Sequence, residues 1–131
     1  MVDSYLDTSA AMKLLAEEDE SRAMTAMVLD GADRELVSSW LLHTELHCAL
    51  ARRSEVSSAL VNAVLGMTRL AEVTRGDLIT AAGLERLRAN DAIHLAVAIR
   101  LGAEEMITYD QELAEAAART GMKVLSPRDV R

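Results

Sequence analysis

The sequence predicts an α/β protein with a short central parallel sheet and helices covering both of its faces. Short apolar runs that resemble strands alternate with amphipathic helix patterns, which is the order typical of a parallel sheet. Half of the residues are apolar, yet only 2% are aromatic and Phe is absent, so the core must consist mainly of aliphatic side chains and methionine. The length of 131 residues suits one domain, and we expect a single domain over residues 1–131.

The first half of the chain contains two predicted strands and four helix patterns. An apolar run that ends in Asp7 predicts the first strand, Gly31 stops the second helix pattern, and Ser39 is a favoured N-cap for the third. In chain order we expect a strand over 4–7, helices over 9–17 and within 19–34, a strand over 35–39, and helices over 40–53 and 55–68.

The second half repeats this alternation. The helical register breaks near Gly66, so a short strand is expected within 70–74, and glycines 102 and 121 follow two of the later helices, as is common at helix ends. The expected elements are helices over 76–88, 91–102 and 111–120, and strands over 105–109 and 122–127, the last of which contains the only proline.

Two acidic residues follow predicted strands directly. Asp7 comes at the end of the first strand, and Asp110 follows the "EMITY" strand. In open parallel sheets, functional sites gather beyond the carboxyl ends of the strands. The sequence therefore predicts that two carboxylates from distant parts of the chain lie at the same edge of the sheet.

Two further acids interrupt apolar helix faces. Glu45 falls between Leu41 and Ala49 on the apolar arc of its helix, where an unpaired carboxylate is costly. It could be a metal ligand or a boundary residue paired with Arg52. Asp91 starts the "DAIHLAVAI" helix on its apolar side, and it could be a ligand or simply an N-cap.

Four carboxylates in one pocket would repel one another, and their pKa values would rise. A hard divalent cation is the simplest stabiliser, and ligation by oxygen alone favours Mg²⁺ or Mn²⁺ over zinc. The chemistry that such a site implies is metal-assisted attack of water on a phosphodiester.

Four segments together resemble the PIN-domain ribonucleases, and most closely the VapC toxins of bacterial toxin–antitoxin pairs. The segments are "YLDTSA", "TELHCALARR", "LRANDAIHLAVAI" and "ITYDQEL", and they occur in order over nearly the whole chain. The resemblance implies a PIN-like three-layer α/β/α fold, cleavage of RNA, a VapB-type antitoxin and dimerisation. It also implies an acidic quartet that holds Mg²⁺ or Mn²⁺: Asp7, Glu45, Asp91 and Asp110.

Neighbouring residues both match and depart from that family. Supporting hydroxyl groups match at three positions: Thr8, Ser9 and Thr108. Asn90 stands where the family more often has an apolar or aromatic residue, and Glu112 is assigned no metal role. We expect the partner's C-terminal segment to lie across the helices of residues 9–30, on apolar side chains that include Met12, Leu15, Met24 and Met27.

Other functions remain open from the residues alone. A haloacid-dehalogenase-like phosphatase would need a second Asp that "DTSA" lacks, and a receiver domain would need an acidic doublet before Asp7, although Lys123 could serve as its late lysine. A catalytically inactive binding module also remains possible. His43 and His47 are expected on the surface, Cys48 in the core, and His94 near Asp91.

Charge and composition restrict the setting. The formal net charge of −7 argues against a general nucleic-acid coat protein, so basic residues near the acids must contact RNA. The candidates are Lys13, Arg52, Arg53, Arg86 and Arg88. One cysteine excludes an internal disulfide, and neither a secretion signal nor a membrane-spanning run is evident, so we expect a cytoplasmic protein.

Overall fold

The structure is a computed structural model that describes residues 1–31 and 33–128. The described residues form five strands and seven helices, and all neighbouring strands pair in parallel. The predicted α/β class is therefore confirmed. The strands are β1 (Val2–Leu6), β2 (Arg34–Ser39), β3 (Arg69–Ala71), β4 (Glu105–Ile107) and β5 (Lys123–Leu125). The helices are α1 (Thr8–Met12), α2 (Ser21–Leu29), α3 (Trp40–Arg52), α4 (Ser58–Gly66), α5 (Arg75–Ala82), α6 (Ala89–Leu101) and α7 (Gln111–Arg119).

The order of the strands locates the position where a site is expected. The sheet runs β3-β2-β1-β4-β5, so the chain builds outward from β1 to one side and then crosses over to build the other side from β4. The reversal falls between β1 and β4, and crevices at such a switch point bind ligands beyond the carboxyl ends of the strands. Asp7 follows β1 there, and the segment that leads to Asp110 follows β4.

Two apolar cores, one on each face, hold the sheet between two layers of helices. On one face, Leu6 and Ile107 of the sheet pack with buried residues of α1 to α4, such as Leu42. On the other face, Tyr5 and Met106 pack with buried residues of α6 and α7. This three-layer arrangement confirms the predicted α/β/α fold.

Several helices are shorter than their patterns predicted. After α1 the chain continues in turns in which N–H groups bond three residues back, and these turns still bring Leu15 into the core. Met24 is fully buried, so the expectation that it lines a partner surface was wrong. Leu15 is 2% exposed but lines a groove beside α2, so for Leu15 that expectation stays a prediction. Ser57 caps α4, which delays its start, and α5 ends at Gly83.

The elements around the acids also differ in length from the prediction. Helix α6 begins at Ala89, two residues earlier than predicted, so Asp91 lies in its first turn and the N-cap alternative was wrong. Strand β4 ends at Ile107, which leaves two residues between the strand and Asp110. Ser39 caps α3 as predicted, and Gly102 ends α6 in a left-handed conformation (φ 69°) that suits glycine.

Cys48 was expected in the core, but its position on α3 is exposed. It lies on the same helix as the fully buried Leu42 and Leu46, on a different face. In the part of the chain that the structure describes, no helix has the length and apolar character needed to cross a membrane.

Candidate acidic active site

Asp7 is the first residue after the central strand and is fixed from two sides. Its backbone N–H donates to the carbonyl oxygen of Ile107 at 3.2 Å, which ties Asp7 to the end of β4. Its side chain caps α1, because Oδ1 accepts from the N–H of Ala10 at 2.9 Å. Asp7 is only 1% exposed, so a carboxyl group is buried at the switch point of the sheet.

Two hydroxyl groups connect Asp7 to the segment after β4. Thr108 donates to Asp7 Oδ2 at 2.7 Å, and Ser9 donates to Oδ1 at 2.9 Å. The same two oxygens accept backbone N–H groups, Thr108 Oγ1 from Asp110 at 3.0 Å and Ser9 Oγ from Tyr109 at 2.9 Å. Thr108 and Ser9 therefore hold the two strand ends together and orient the Asp7 carboxyl group.

Glu45 belongs to a second hydrogen-bonded chain, which starts in the core. The Tyr5 hydroxyl lies 2.8 Å from His94 Nδ1, and His94 Nε2 lies 2.6 Å from Glu45 Oε1. Burial raises the pKa of Tyr5, so its hydroxyl keeps its proton and can donate to Nδ1. In that arrangement His94 Nε2 donates to Glu45, and Thr8 donates to the same oxygen at 2.7 Å.

Three of the four predicted acids are close enough to influence one another. Burial raises the pKa of Asp91, and the carboxylates of Asp110 and Glu45 raise it further, against the opposing effects of His94 and Arg88. Such coupling requires short separations. The charges of Glu45, on α3, and of Asp110, at the N-terminus of α7, therefore reach Asp91 in the first turn of α6.

The remaining shifts follow from burial and hydrogen bonding. Burial raises the pKa of Asp7 to about 6, although hydrogen bonds and the nearby His94 oppose it. Burial would raise the pKa of Glu45 as well, but the hydrogen bonds from His94 and Thr8 outweigh burial, and the pKa of Glu45 is lowered. In the site, the ionised form of Glu45 is thus stabilised by its partners, whereas Asp7 and Asp91 are costly to ionise.

The donors suit a hard divalent cation by their chemistry. The ordinary ligands of Mg²⁺ are carboxylate oxygens and water, and a cation would relieve the repulsion that raises the pKa of Asp91. Within residues 1–31 and 33–128, however, no three His, Cys, Asp or Glu side chains already stand close enough together to hold a metal. A cation at this site would accordingly keep several of its waters, as Mg²⁺ usually does.

Sequence reasoning missed most of the support behind Glu45. Its partners are His94, Thr8 and Asn90, so the alternative of a boundary pair with Arg52 was wrong. His94 was expected near Asp91, and their charges do interact, but its hydrogen bonds to Tyr5 and Glu45 were not foreseen. The sequence did contain one indication that His94 belongs to the site. His94 comes three residues after Asp91, about one turn along the same helix.

The other histidines lie apart from this cluster. His43 and His47 stack with ring centroids 4.3 Å apart, and His47 Nδ1 bonds the carbonyl oxygen of His43. Trp40 lies against His43, with ring centroids 5.1 Å apart. His47 is exposed and His43 is partly so, in agreement with the surface position that was predicted.

The predicted RNA-contacting cations have different environments. Lys13 lies over the Tyr109 ring and pairs with Glu18, and Arg53 pairs with both Glu18 and Glu55. The charge of Arg88 acts on Asp91. The other two are exposed: Arg52 on α3 and Arg86 in the loop before α6.

Comparison with known proteins agrees with this architecture. Residues 4–119 match the family model of the PIN domain. The chain therefore belongs to the PIN-domain family. It is 37% identical over 131 residues to a Mycobacterium tuberculosis protein named ribonuclease VapC46, and the match covers 97% of this chain and 99% of that protein. It is 34% identical over 133 residues to ribonuclease VapC35 of the same organism, covering 97% and 98%.

A solved structure supports the fold. The chain resembles one from a VapBC2 complex of Rickettsia felis bound to a DNA fragment of its promoter, with a TM-score of 0.73. The likeness covers 95% of this chain and 98% of that one at 10% sequence identity, so it bears on the fold alone.

Proposed function

We propose that this protein is a metal-dependent ribonuclease that acts in the cytoplasm as the toxin of a type II toxin–antitoxin pair. The observation that carries the proposal is the Asp7 carboxyl group, which is buried at the β1–β4 switch point and oriented by Ser9 and Thr108, together with the charges of Asp110 and Glu45 that act on Asp91. Relatives named ribonuclease VapC support the same activity. Residues 1–131 act as one domain, and the resemblance to VapC toxins adds a homodimer and a toxin–antitoxin hetero-oligomer.

Asp7, Glu45, Asp91 and Asp110 would hold the cation, and PIN-domain ribonucleases are generally metal-dependent. We propose Mg²⁺ or Mn²⁺, because the donors are oxygens. When bound, such an ion supplies charge stabilisation at a phosphodiester and lowers the pKa of attacking water.

The chain's own residues position these acids. Ser9 and Thr108 orient both oxygens of Asp7, so its carboxyl group cannot rotate away from the switch point. His94 and Thr8 fix Oε1 of Glu45, while the Asn90 amide donates to Oε2 over a longer distance of 3.4 Å.

The first test is cleavage of purified RNA with Mg²⁺ or Mn²⁺ and with EDTA. We expect cleavage only with the metal. Asp110→Asn should lower kcat/KM at least about a hundredfold, because it removes one of the proposed ligands of the cation that stabilises the reacting phosphodiester. Glu112→Gln is the matched control, since this exposed residue of the same helix turn carries no proposed role and should retain full activity. Cleavage that persists in EDTA would contradict the proposal.

The proposed partner is a VapB-type antitoxin whose C-terminal segment lies across residues 9–30. A groove of about 450 Å³ there runs from Lys13 to Leu29 and includes Leu60 of α4. Leu29 is 82% exposed and Leu60 45%, so they offer apolar contacts that the fully buried Met24 cannot, and Leu15 also lines the groove. A partner arginine near Asp7 and Asp91 would neutralise the acids, because its guanidinium remains charged and binds carboxylates in bidentate fashion.

The antitoxin proposal is tested by limited proteolysis of the co-purified complex. Trimming the partner's C-terminal segment should release Mg²⁺-dependent RNA cleavage, while the intact complex should be inhibited. Equal cleavage by trimmed and intact complexes would exclude inhibition by that segment.

A further inference from the structure

A groove along α3 adjoins the acidic site and is lined by two of the arginines that were predicted to contact RNA, Arg52 and Arg53. The groove has a volume of about 480 Å³, and Thr8, Glu45 and Asn90 line it together with one face of α3. This size is within the range of sites that bind small ligands such as one nucleotide. Glu45 belongs both to the lining of the groove and to the acidic site, so a molecule in the groove would lie directly beside the proposed reaction centre.

The walls of the groove combine apolar surface with positive charge. Met12 and Leu41 contribute apolar side chains, and Arg52 and Arg53 contribute guanidinium groups. Arg53 is already bonded to Glu18 and Glu55, at 3.2 and 2.7 Å.

Arg52 is different, because no acid neutralises it. It is exposed, and among residues 1–31 and 33–128 it forms neither an ion pair nor a hydrogen bond. In a chain with a formal charge of −7, an unpaired arginine that lines a groove is the feature that favours an anionic occupant. It follows Glu45 by seven residues on α3, two helical turns or about 10 Å, which places both on one face.

We propose that this groove binds one nucleotide of single-stranded RNA next to the cleaved bond, and that Arg52 positions the strand by contacting a backbone phosphate. The inference rests on the proposed ribonuclease activity and deepens it. A base must be unstacked from its neighbours to enter a groove of this size, and unstacked bases occur in single strands and loops rather than in duplex RNA. The apolar wall then contacts the base, while Arg52 contacts the phosphate.

Steady-state cleavage of a single-stranded RNA with Mn²⁺ tests Arg52. Arg52→Ala should raise KM about five- to tenfold with kcat little changed, because it removes a contact made equally in the ground and transition states. The slope of log KM against log salt should fall by about 0.7, the value for one phosphate contact on a single strand. Arg52→Lys should restore that slope, since a lysine still supplies the charge.

Arg75→Ala is the control for net charge. Arg75 is exposed at the start of α5, which packs beside the C-terminal end of α6, where Arg100 bonds Asp77. Asp91 lies at the opposite end of α6, so this substitution removes one positive charge away from the proposed site and should change neither KM nor the salt slope. An equal effect of Arg52→Ala and Arg75→Ala would overturn the proposal, because the effect would then be one of general charge.

The single cysteine supplies a readout that does not depend on catalysis. Cys48 is exposed and lines the groove, so a bound strand should shield it from alkylation by a maleimide. In the Asp7→Asn chain with Mg²⁺, saturating single-stranded RNA should slow alkylation at least about fivefold, and adding Arg52→Ala should abolish much of this protection at the same RNA concentration.

The outcomes separate the two proposals. If the wild-type chain cleaves no RNA, the ribonuclease proposal and this inference both fail. If it cleaves RNA, but Arg52→Ala leaves KM, the salt slope and the protection of Cys48 unchanged, only the groove assignment fails. If Arg52→Ala weakens antitoxin binding but not RNA binding, the groove belongs to the protein partner and the assignment is again overturned.

Discussion

Replacing Asp7 with Asn should stabilise the metal-free protein at pH 8. Burial raises the pKa of Asp7 from 3.8 to about 6 on folding, so protonation favours the folded state. The stability that this provides is fully present below the unfolded pKa and is lost as the pH rises through the folded pKa. A difference of about two pKa units corresponds to about 3 kcal/mol lost by pH 8.

The asparagine removes that cost but changes one hydrogen bond. Asp7 Oδ2 accepts from the Thr108 hydroxyl at 2.7 Å, and an amide nitrogen at that position would face the hydroxyl as a second donor, at a cost of about 1–2 kcal/mol. We therefore expect a net gain of about 1–2 kcal/mol at pH 8, or roughly 3–8 °C in Tm. Near pH 4.5 the folded carboxyl group is already protonated, and the gain should shrink to zero or change sign.

Urea unfolding followed by circular dichroism in EDTA, at pH 4.5 and pH 8, measures this difference. Asp19→Asn is the control, because Asp19 is exposed in the loop before α2 and should change stability little at either pH. A loss of stability at pH 8, or the same change at both pH values, would refute the conclusion that burial of the Asp7 charge costs stability.

Three further predictions concern the proposed metal site, the hydrogen bonds behind Glu45, and an ion pair at the opposite end of α6. Mn²⁺ should raise the Tm of the wild type more than that of Asp7→Asn in thermal unfolding, and equal responses would place the cations elsewhere. Tyr5→Phe removes the hydroxyl that lies 2.8 Å from His94 Nδ1. We expect kcat for RNA cleavage to fall about tenfold with the fold retained. An unchanged kcat would show that the hydrogen bonds from Tyr5 through His94 do not position Glu45. Asp77 is buried, but the hydrogen bonds from Arg100 at 2.8 and 3.0 Å outweigh the effect of burial and lower the pKa of Asp77. The ionised Asp77 therefore stabilises the folded protein above the unfolded pKa, and this stabilisation is lost as the pH falls through the folded pKa. Asp77→Asn should therefore cost about 1–3 kcal/mol in urea unfolding at pH 7 and much less near pH 2.5, whereas an equal cost at both would contradict the ion-pair explanation.

The strands and the order of the elements could be predicted because their signals are local. Each of these signals depends on adjacent residues: the apolar runs, the Ser39 cap, and the glycines at positions 102 and 121. In the structure, strands occur at the apolar runs, α3 begins after Ser39, and α6 and α7 end before the two glycines. The ends of the helices could not be predicted as well. The pattern over 9–17 continues through turns after Met12, in which Leu15 reaches the core while its N–H bonds Met12, three residues back.

The strand order was the decisive information that the sequence lacked. Periodicity placed Asp7 and Asp110 after strands, but only the adjacency of β1 and β4 brings their segments together through Ser9 and Thr108. The support for Glu45 is likewise a tertiary feature, since His94 is 49 residues away along the chain. The prediction for Cys48 failed for a different reason. Cysteine usually prefers the core, and we predicted a buried position from residue type, but this side of α3 is exposed.

The claim on which this account depends is that the four acids form one divalent-metal site. Anomalous diffraction from a crystal soaked in MnCl₂, collected near the manganese edge, tests it most directly. The account predicts a peak among the carboxylates of Asp7, Glu45, Asp91 and Asp110, within about 2 to 4.5 Å of their oxygens, which covers direct and water-mediated contacts. Manganese bound only elsewhere on the molecule, with no peak at the β1–β4 switch point, would contradict it.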